Sequence, residues 1–343
     1  MKPAQPAILV IRRDNIGDLI LTTPLFAALR QKFPEAYLAA LVNSYNCPAI
    51  EGNPHLDAVF AYTKGKHADG ESIWRAYWRR IGLIWQLRRR RFDYVILPNG
   101  GFAGRALGLA KLIAPRHILG FVGSPPESGA IDMAIQHGDG GRLHEVEDIF
   151  RLLEPLGITQ PIPGLTVVAD PKRVALAREA LPATVASGSG PLVALHLSAR
   201  KAKQRWPVEC FAALARRLHA GCGARFLVFW SPGDENNPFH PGDDGKAARL
   251  LELLSDLPVA PVRTESLPEL IAGLAMADRA ILSDGGAMHV AAGLGKPLVC
   301  FFGNSSAERW RPWGVPYQLL QKPSRDVADI SVDEVVDAFS RLG

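Results

Sequence analysis

The chain has 343 residues, 48% hydrophobic and 21% charged, which suits a globular protein long enough for two domains of ordinary size. A formal charge of +5 favours an acidic partner: phosphates, nucleic acid or an anionic membrane surface. No apolar run reaches membrane-spanning length, the opening residues Met1 to Pro6 lack a secretory-signal pattern, and Cys47, Cys210, Cys222 and Cys300 are scattered without CxxC spacing; this argues against a disulfide or zinc framework and for a cytoplasmic protein.

The predicted elements alternate. Ala7 to Ile11 is an apolar run without alternation, as expected of a strand buried on both faces of a parallel sheet. A loop over Asp14 to Asp18 follows, then helical periodicity from Leu19 to Lys32, ended by Phe33-Pro34. Further strands are expected at Tyr37 to Val42, Ala58 to Ala61, Asp93 to Pro98 and His117 to Phe121, and a helix from Glu145 to Leu156 stopped at Gly157. Between these lies Ile73 to Arg91, with Ile73, Tyr77, Ile81 and Ile84 at helical spacing and arginines and tryptophans among them. It reads as an amphipathic helix with a basic outer face. Such a helix lies on an anionic membrane, or packs on a sheet with its arginines in water.

The Pro-rich, uncharged stretch Ile158 to Gly164 reads as a linker. It divides a first domain, 1–164, from a second, 165–330, with a final helix in 331–343 that is expected to fold back on the first. In the second domain, helices are expected at Val174 to Leu181, Val208 to His219, Ala247 to Leu254 and Leu267 to Met276, and strands at Leu192 to His196 and Arg225 to Trp230; the final helix is expected at Val332 to Leu342. Alternating strands and helices in both halves predict two doubly wound parallel-sheet domains with a cleft between them.

One segment is more specific. The apolar run Arg279 to Leu282 leads into Ser283-Asp284-Gly285-Gly286-Ala287-Met288-His289, then a small-residue helix stopped at Gly295, then a strand from Pro297 to Gly303. The glycines allow a sharp turn and close approach of a ligand. The helix N-terminus favours an anionic group such as a diphosphate. Asp284 stands at a strand's carboxyl end, where open α/β sheets bind ligands. It also reads as a helix cap, and His289 as a core histidine.

Two other loops carry candidate chemistry. Asp18, after the first strand, is placed to take a proton from a hydroxyl group, or to cap the following helix. Ser198 to Pro207 brings Arg200, Lys201, Lys203 and Arg205 to another carboxyl end, where they would neutralise a diphosphate or remain solvated. The polar loop with Asp234, Glu235, Asp243 and Asp244 reads as exposed and mobile. His137, His144, His196, His219, His240 and His289 are isolated, so no metal site is expected.

Jointly, three motifs resemble glycosyltransferase family nine, the heptosyltransferases of lipopolysaccharide core assembly. They are Ile11 to Asp18 with Thr22-Thr23-Pro24-Leu25; His196-Leu197-Ser198 through Lys203, then Arg205-Trp206-Pro207; and Ser283 through Ala292 with Gly295-Lys296-Pro297 and Phe302-Gly303. The resemblance implies a GT-B fold, with acceptor on the first Rossmann-like domain and nucleotide-sugar donor on the second. It implies Asp18 as general base, Arg12, Arg13, Asn15 and Thr22 toward the acceptor, and Ser198, Asp284, Gly285, Gly286, Ala287, Met288 and His289 toward the donor. It also implies a phosphate-binding lysine. Counting from His196 puts it at Lys203, and counting back from Trp206-Pro207 puts Gln204 there, with Arg205 adjacent. Lys203, with Arg205 as substitute, is the expectation.

The implied reaction is inverting transfer of a heptose from ADP-heptose, a co-substrate rather than a cofactor, to an anionic glycolipid without a metal ion. Where Ile73 to Arg91 lies on a membrane rather than packing on the sheet, peripheral contact with the inner face of the cytoplasmic membrane would accompany it. The alternatives are another nucleotide-sugar enzyme, such as an epimerase, and a basic nucleic-acid or membrane-surface protein. No nucleic-acid module is recognisable, so nucleic acid is not the expected partner.

Overall fold

The computed structural model describes residues 5–62, 73–137, 142–159, 161–235 and 242–342. The chain forms two compact units, Met1–Thr166 and Val167–Gly343, dividing two residues beyond the expected boundary. The first holds a sheet of β1 (Ala7–Ile11), β2 (Tyr37–Asn43), β3 (Ala58–Tyr62), β4 (Tyr94–Leu97), β5 (His117–Val122) and β6 (Met133–Gln136). The second holds β7 (Leu192–His196), β8 (Arg225–Trp230), β9 (Val259–Arg263), β10 (Arg279–Ser283), β11 (Leu298–Phe302) and β12 (Tyr317–Gln321).

The two sheets share one topology. Their orders are β3-β2-β1-β4-β5-β6 and β12-β11-β10-β7-β8-β9, so β7 takes the place of β1 and β10 that of β4. All pairings are parallel. Parallel strands need helical crossovers, and those helices cover both faces. That is why Ile8, Leu9, Val10 and Ile11, and likewise Val193, Ala194 and Leu195, are fully buried rather than alternating. In each unit the chain order reverses beside the first strand. Open α/β sheets bind ligands at such a switch point, here between the carboxyl ends of β1 and β4 and of β7 and β10. The first motif lies at the switch point of the first unit, and the other two lie at that of the second.

Several expectations are corrected. β6, β9 and β12 are strands without a strong apolar run, and Gly104–Ile113 is a helix not expected from the pattern. The first helix begins at Ile16, not Leu19, and a break at Thr22 separates Ile16–Leu21 from Thr23–Lys32 with Pro24 in its first turn. After Glu145–Phe150 the chain tightens into a 3-10 helix, Arg151–Leu156, around Pro155. It stops at Gly157 with φ +71°, as expected of a glycine terminator. The last helix, Val332–Ser340, belongs to the second unit. Val335, Ala338 and Phe339 enter the second core with Leu214, Leu218 and Phe301, because they form the apolar face of an amphipathic helix laid on that sheet.

Candidate active site

In the first unit the loop after β1 is built around a buried arginine. Arg12, 2% exposed, donates through Nη2 to Glu145 Oε1 at 3.0 Å and pairs with Asp18 Oδ1 at 3.1 Å. Its Nε lies 3.2 Å from Asp14 Oδ2. Glu145, 1% exposed, opens the helix Glu145–Phe150, whose cap is His144: its Nδ1 accepts from the Val146 amide at 3.1 Å. A buried guanidinium is tolerable only because carboxylates surround it.

Asp18 is therefore held from two sides. Its Oδ2 accepts from the backbone N–H of Asn15 at 3.1 Å and from Asn15 Nδ2 at 2.9 Å. Asp18 is thus the third residue of the helix Ile16–Leu21 and closes a capping box with Asn15, rather than being the cap itself. The loop is pinned further by Asn43 Nδ2 to the Arg13 carbonyl, 2.6 Å, by Asn46 Nδ2 to the Asp14 carbonyl, 3.1 Å, and by the Tyr45 hydroxyl to the same Asp14 carbonyl. Asn99, after β4, donates to Asp14 Oδ2 at 2.6 Å, which ties the loops after β1 and β4 together.

A cavity of about 590 Å³ opens over this loop, lined by Arg13, Asn15, Asp18, Tyr45 and the stretch from Asn99 to Ala106. Arg13 stacks on the Tyr62 ring at 4.1 Å, and burial holds its guanidinium below the usual arginine range. Of the four residues expected toward an acceptor, Arg13 and Asn15 line the cavity. Arg12 and Thr22 do not. Arg12 is enclosed by its carboxylates, and the fully buried Thr22 bonds back to the Asp18 carbonyl at 2.9 Å. Glu145, Tyr45 and Arg105 were not singled out from the sequence. The Gly100-Gly101 turn after β4 was a usable signal for this wall, since Gly101 has φ +150°.

In the second unit Asp284 leaves β10 with its amide bonded to the Phe301 carbonyl at 2.8 Å. Its Oδ2 accepts from Gln204 Nε2 at 3.0 Å and from Ser305 Oγ at 2.6 Å. Burial raises its pKa, opposed by those two bonds and by the charge of Lys201. Gly285 then takes φ +153°, a conformation open to glycine, and the helix Gly286–Gly293 begins. The Met288 and His289 side chains are buried, so their backbone, not their side chains, is what this turn presents. Ser198 Oγ accepts from the Ser231 amide at 2.8 Å and braces the neighbouring loop.

The ambiguous lysine loop has a definite arrangement. Ala202–Gln204 is one turn of 3-10 helix. Gln204 turns inward to Asp284, and Ser283 Oγ donates to the Gln204 carbonyl at 2.6 Å. Lys201 and Lys203 point outward and are exposed. Arg205 Nε donates to the Ala199 carbonyl at 2.8 Å, so this residue shapes the loop. Gly303 packs against the turn. A Cβ there would lie 2.7 Å from the Lys203 carbonyl oxygen and 3.3 Å from Gln204 Cγ. Gly303→Ala should therefore displace the turn and lower nucleotide affinity and turnover by about 100-fold, the scale of a 1 Å misplacement. Isothermal titration and initial rates check it; wild-type values would show the turn is not part of a ligand site.

The polar loop after β8 is anchored by hydrogen bonds at its described ends. Asp243 is buried and its amide bonds to the Ser231 carbonyl at 2.9 Å, while Asp244 accepts from Trp230 Nε1 at 2.7 Å and Gly233 N at 3.0 Å. His240 and the side chains of Ile73 and Arg75 lie outside the described residues. Among the described residues, no group of three or more His, Cys, Asp or Glu side chains is placed to hold a metal ion.

His196 ends β7 beneath this site, and burial lowers its pKa from 6.5 to about 4. The unfolded chain thus takes up a proton that the folded chain refuses over this window. This contribution to stability is complete above about pH 6.5 and falls as the pH drops toward 4, with about 2 kcal/mol lost by pH 5. Urea midpoints at pH 7.5 and 5 should show this loss, and His196→Gln should lack it.

Paired doubly wound sheets, each with its polar cluster at the switch point, define a two-unit protein of the Rossmann-like class. The sequence profile of glycosyltransferase family 9 (heptosyltransferase) matches residues 80–331, and the chain belongs to that family. Lipopolysaccharide heptosyltransferase 3 of Escherichia coli is 25% identical over 305 residues, 87% of this chain and 83% of its own length. Lipopolysaccharide heptosyltransferase 2 of Salmonella typhimurium is 26% identical over 314 residues, 88% and 84%. Among solved structures, a glycosyl transferase family 9 protein of Veillonella parvula aligns with TM-score 0.78 and 20% identity over 100% of this chain and 98% of its own. The E. coli ADP-heptose lps heptosyltransferase II aligns with TM-score 0.76 and 18% identity over 98% of each. The fold is GT-B, and the chain is a heptosyltransferase-type glycosyltransferase.

Proposed function

We propose that the chain is an inverting transferase of lipopolysaccharide biosynthesis that moves a heptose from an ADP-sugar to a core glycolipid, with Asp18 as general base. The observation that carries this reading is Asp18 itself: a carboxylate on the wall of the first unit's cavity, oriented by Arg12 at 3.1 Å and Asn15 at 2.9 Å. A base needs that fixed position to meet an acceptor hydroxyl. The acceptor oxygen attacks the anomeric carbon, its proton passes to Asp18, and the bond to the diphosphate breaks on the opposite face.

Negative charge grows on the departing nucleotide, and the second unit is suited to receive it. The N–H groups at the start of Gly286–Gly293 and the exposed Lys203 are assigned to the diphosphate, with Lys201 beside them. Asp284 is assigned to sugar hydroxyls. Arg13, Asn15 and Arg105 are assigned to the anionic acceptor. The choice of ADP-heptose is supported by the structurally similar E. coli heptosyltransferase WaaC, solved with ADP-2-deoxy-2-fluoro heptose (TM-score 0.74, 18% identity, 98% of this chain and 100% of its own).

Thermal-shift titration with ADP, UDP, GDP and their sugar conjugates tests the donor, since a ligand raises the midpoint by mass action. A selective rise with ADP or an ADP-sugar supports the reading. A preference for UDP or GDP moves the donor, and no rise with any nucleotide overturns the donor site. Transfer to a core glycolipid with inversion at the anomeric carbon tests the reaction.

A further inference from the structure

The helix Ile73–Arg89 carries a surface that the transfer reaction does not use. Its inner side packs on the first core through Leu87, which is fully buried, and through Leu83 and Ile84. That contact satisfies a surface helix, which needs only one apolar face. A second apolar stripe nevertheless faces solvent: Trp74 is 72% exposed, Trp78 65%, Trp85 58%, Tyr77 53% and Ile81 38%. At about 100° per residue these five fall in one sector of roughly 100°. The outward face, expected to be basic, is thus formed in large part by these aromatics.

Arginine is frequent along this helix, although Arg80 lies over the Tyr62 ring at 5.3 Å, Arg90 over the Tyr37 ring at 4.7 Å, and Arg88 donates to the Leu112 carbonyl at 3.2 Å. Arg79, Arg80, Arg88, Arg89, Arg90 and Arg91 are all exposed, and no Asp or Glu occurs from residue 73 to residue 91. Arg89 lies over the Trp85 ring at 4.4 Å. A contiguous exposed apolar stripe marks an interaction surface. Here the partner must accept tryptophan rings and many guanidinium groups at once.

We infer that this face seats on an anionic lipid bilayer, with Trp74, Trp78 and Trp85 at the headgroup level and the arginines on lipid phosphates. Tryptophan favours that depth because its ring is apolar and its N–H polar. Arginine binds phosphate through a planar fork and gains from the negative surface potential. A second copy of this chain fits less well, since pairing the stripe with itself would bring two arginine-rich faces together. The inference stands on this face alone, independently of the donor and acceptor assignments.

Co-sedimentation of the full chain with vesicles tests it. Binding is expected to phosphatidylcholine vesicles containing about 30% phosphatidylglycerol and not to phosphatidylcholine alone, with a blue shift of tryptophan emission and loss in high salt. The combined substitutions Trp74→Ser, Trp78→Ser and Trp85→Ser should weaken binding at least about tenfold, and so should Arg79→Gln with Arg89→Gln. Both variants should keep wild-type nucleotide thermal shifts and wild-type transfer to a soluble, deacylated acceptor, which separates this face from the proposed chemistry. Absence of vesicle binding overturns the inference, as does binding that the tryptophan variant retains. A concentration-dependent dimer abolished by that variant would assign the face to self-association instead.

Discussion

Replacing Asp18 by asparagine is expected to slow sugar transfer about a hundred- to ten-thousand-fold while nucleotide binding is retained. The amide keeps the size of the carboxylate but cannot take a proton from the acceptor hydroxyl. It also cannot satisfy all of its neighbours. Oδ1 faces the Arg12 guanidinium and Oδ2 faces two donors on Asn15, so the amide's NH2 must meet one of them. That mismatch is expected to cost about 1–3 kcal/mol of stability. Rates are therefore read beside circular dichroism and an ADP thermal shift. A folded, nucleotide-binding Asp18→Asn protein with a wild-type rate would leave Asp18 as a helix-capping residue only.

The largest effect on stability is expected at Glu145→Ala, about 3–5 kcal/mol in urea denaturation, because it strips a buried guanidinium of its most buried partner. Arg12 and Glu145 are 2% and 1% exposed, so water cannot replace the lost carboxylate. Asp14 and Asp18 remain near Arg12, but both are more exposed, at 39% and 14%. The double variant Arg12→Met with Glu145→Leu should regain part of that stability, since apolar groups fill the site without an unpaired charge. Activity should stay low in the double variant, because Asp18 then loses the cation that orients it. Recovery of both would make the arginine a structural element alone.

Much of the fold was legible because its signals are local. The β1, β7 and β10 runs are apolar without alternation, and a strand covered on both faces has to read that way. The glycine turn at Gly285 was legible for the same reason: φ +153° is a property of one residue. β6, β9 and β12 were not legible. Each lies at the edge of its sheet, and its side chains are only partly buried. Partial burial relaxes the demand for apolar residues, so their sequences resemble loops. The helix Gly104–Ile113 carries little local signal because it opens with glycine and has no capping side chain.

The site divides in the same way. Asp18, Asp284, Lys203 and Arg205 announce themselves by standing in loops at predicted strand ends. The sequence by itself thus determined two doubly wound units, the loops that hold the chemistry, and the residue types there, since periodicity and turn chemistry act over a few residues. Only the tertiary structure decided which of those residues meet. Glu145 reaches Arg12 across 133 positions, Asn99 reaches Asp14 across 85, and Gln204 reaches Asp284 across 80. It also turned Gln204 inward and Lys203 outward, and set Trp74, Trp78 and Trp85 in the open. Such choices depend on what lies opposite a side chain once the sheet has closed, and sheet order brings together residues that no local pattern relates.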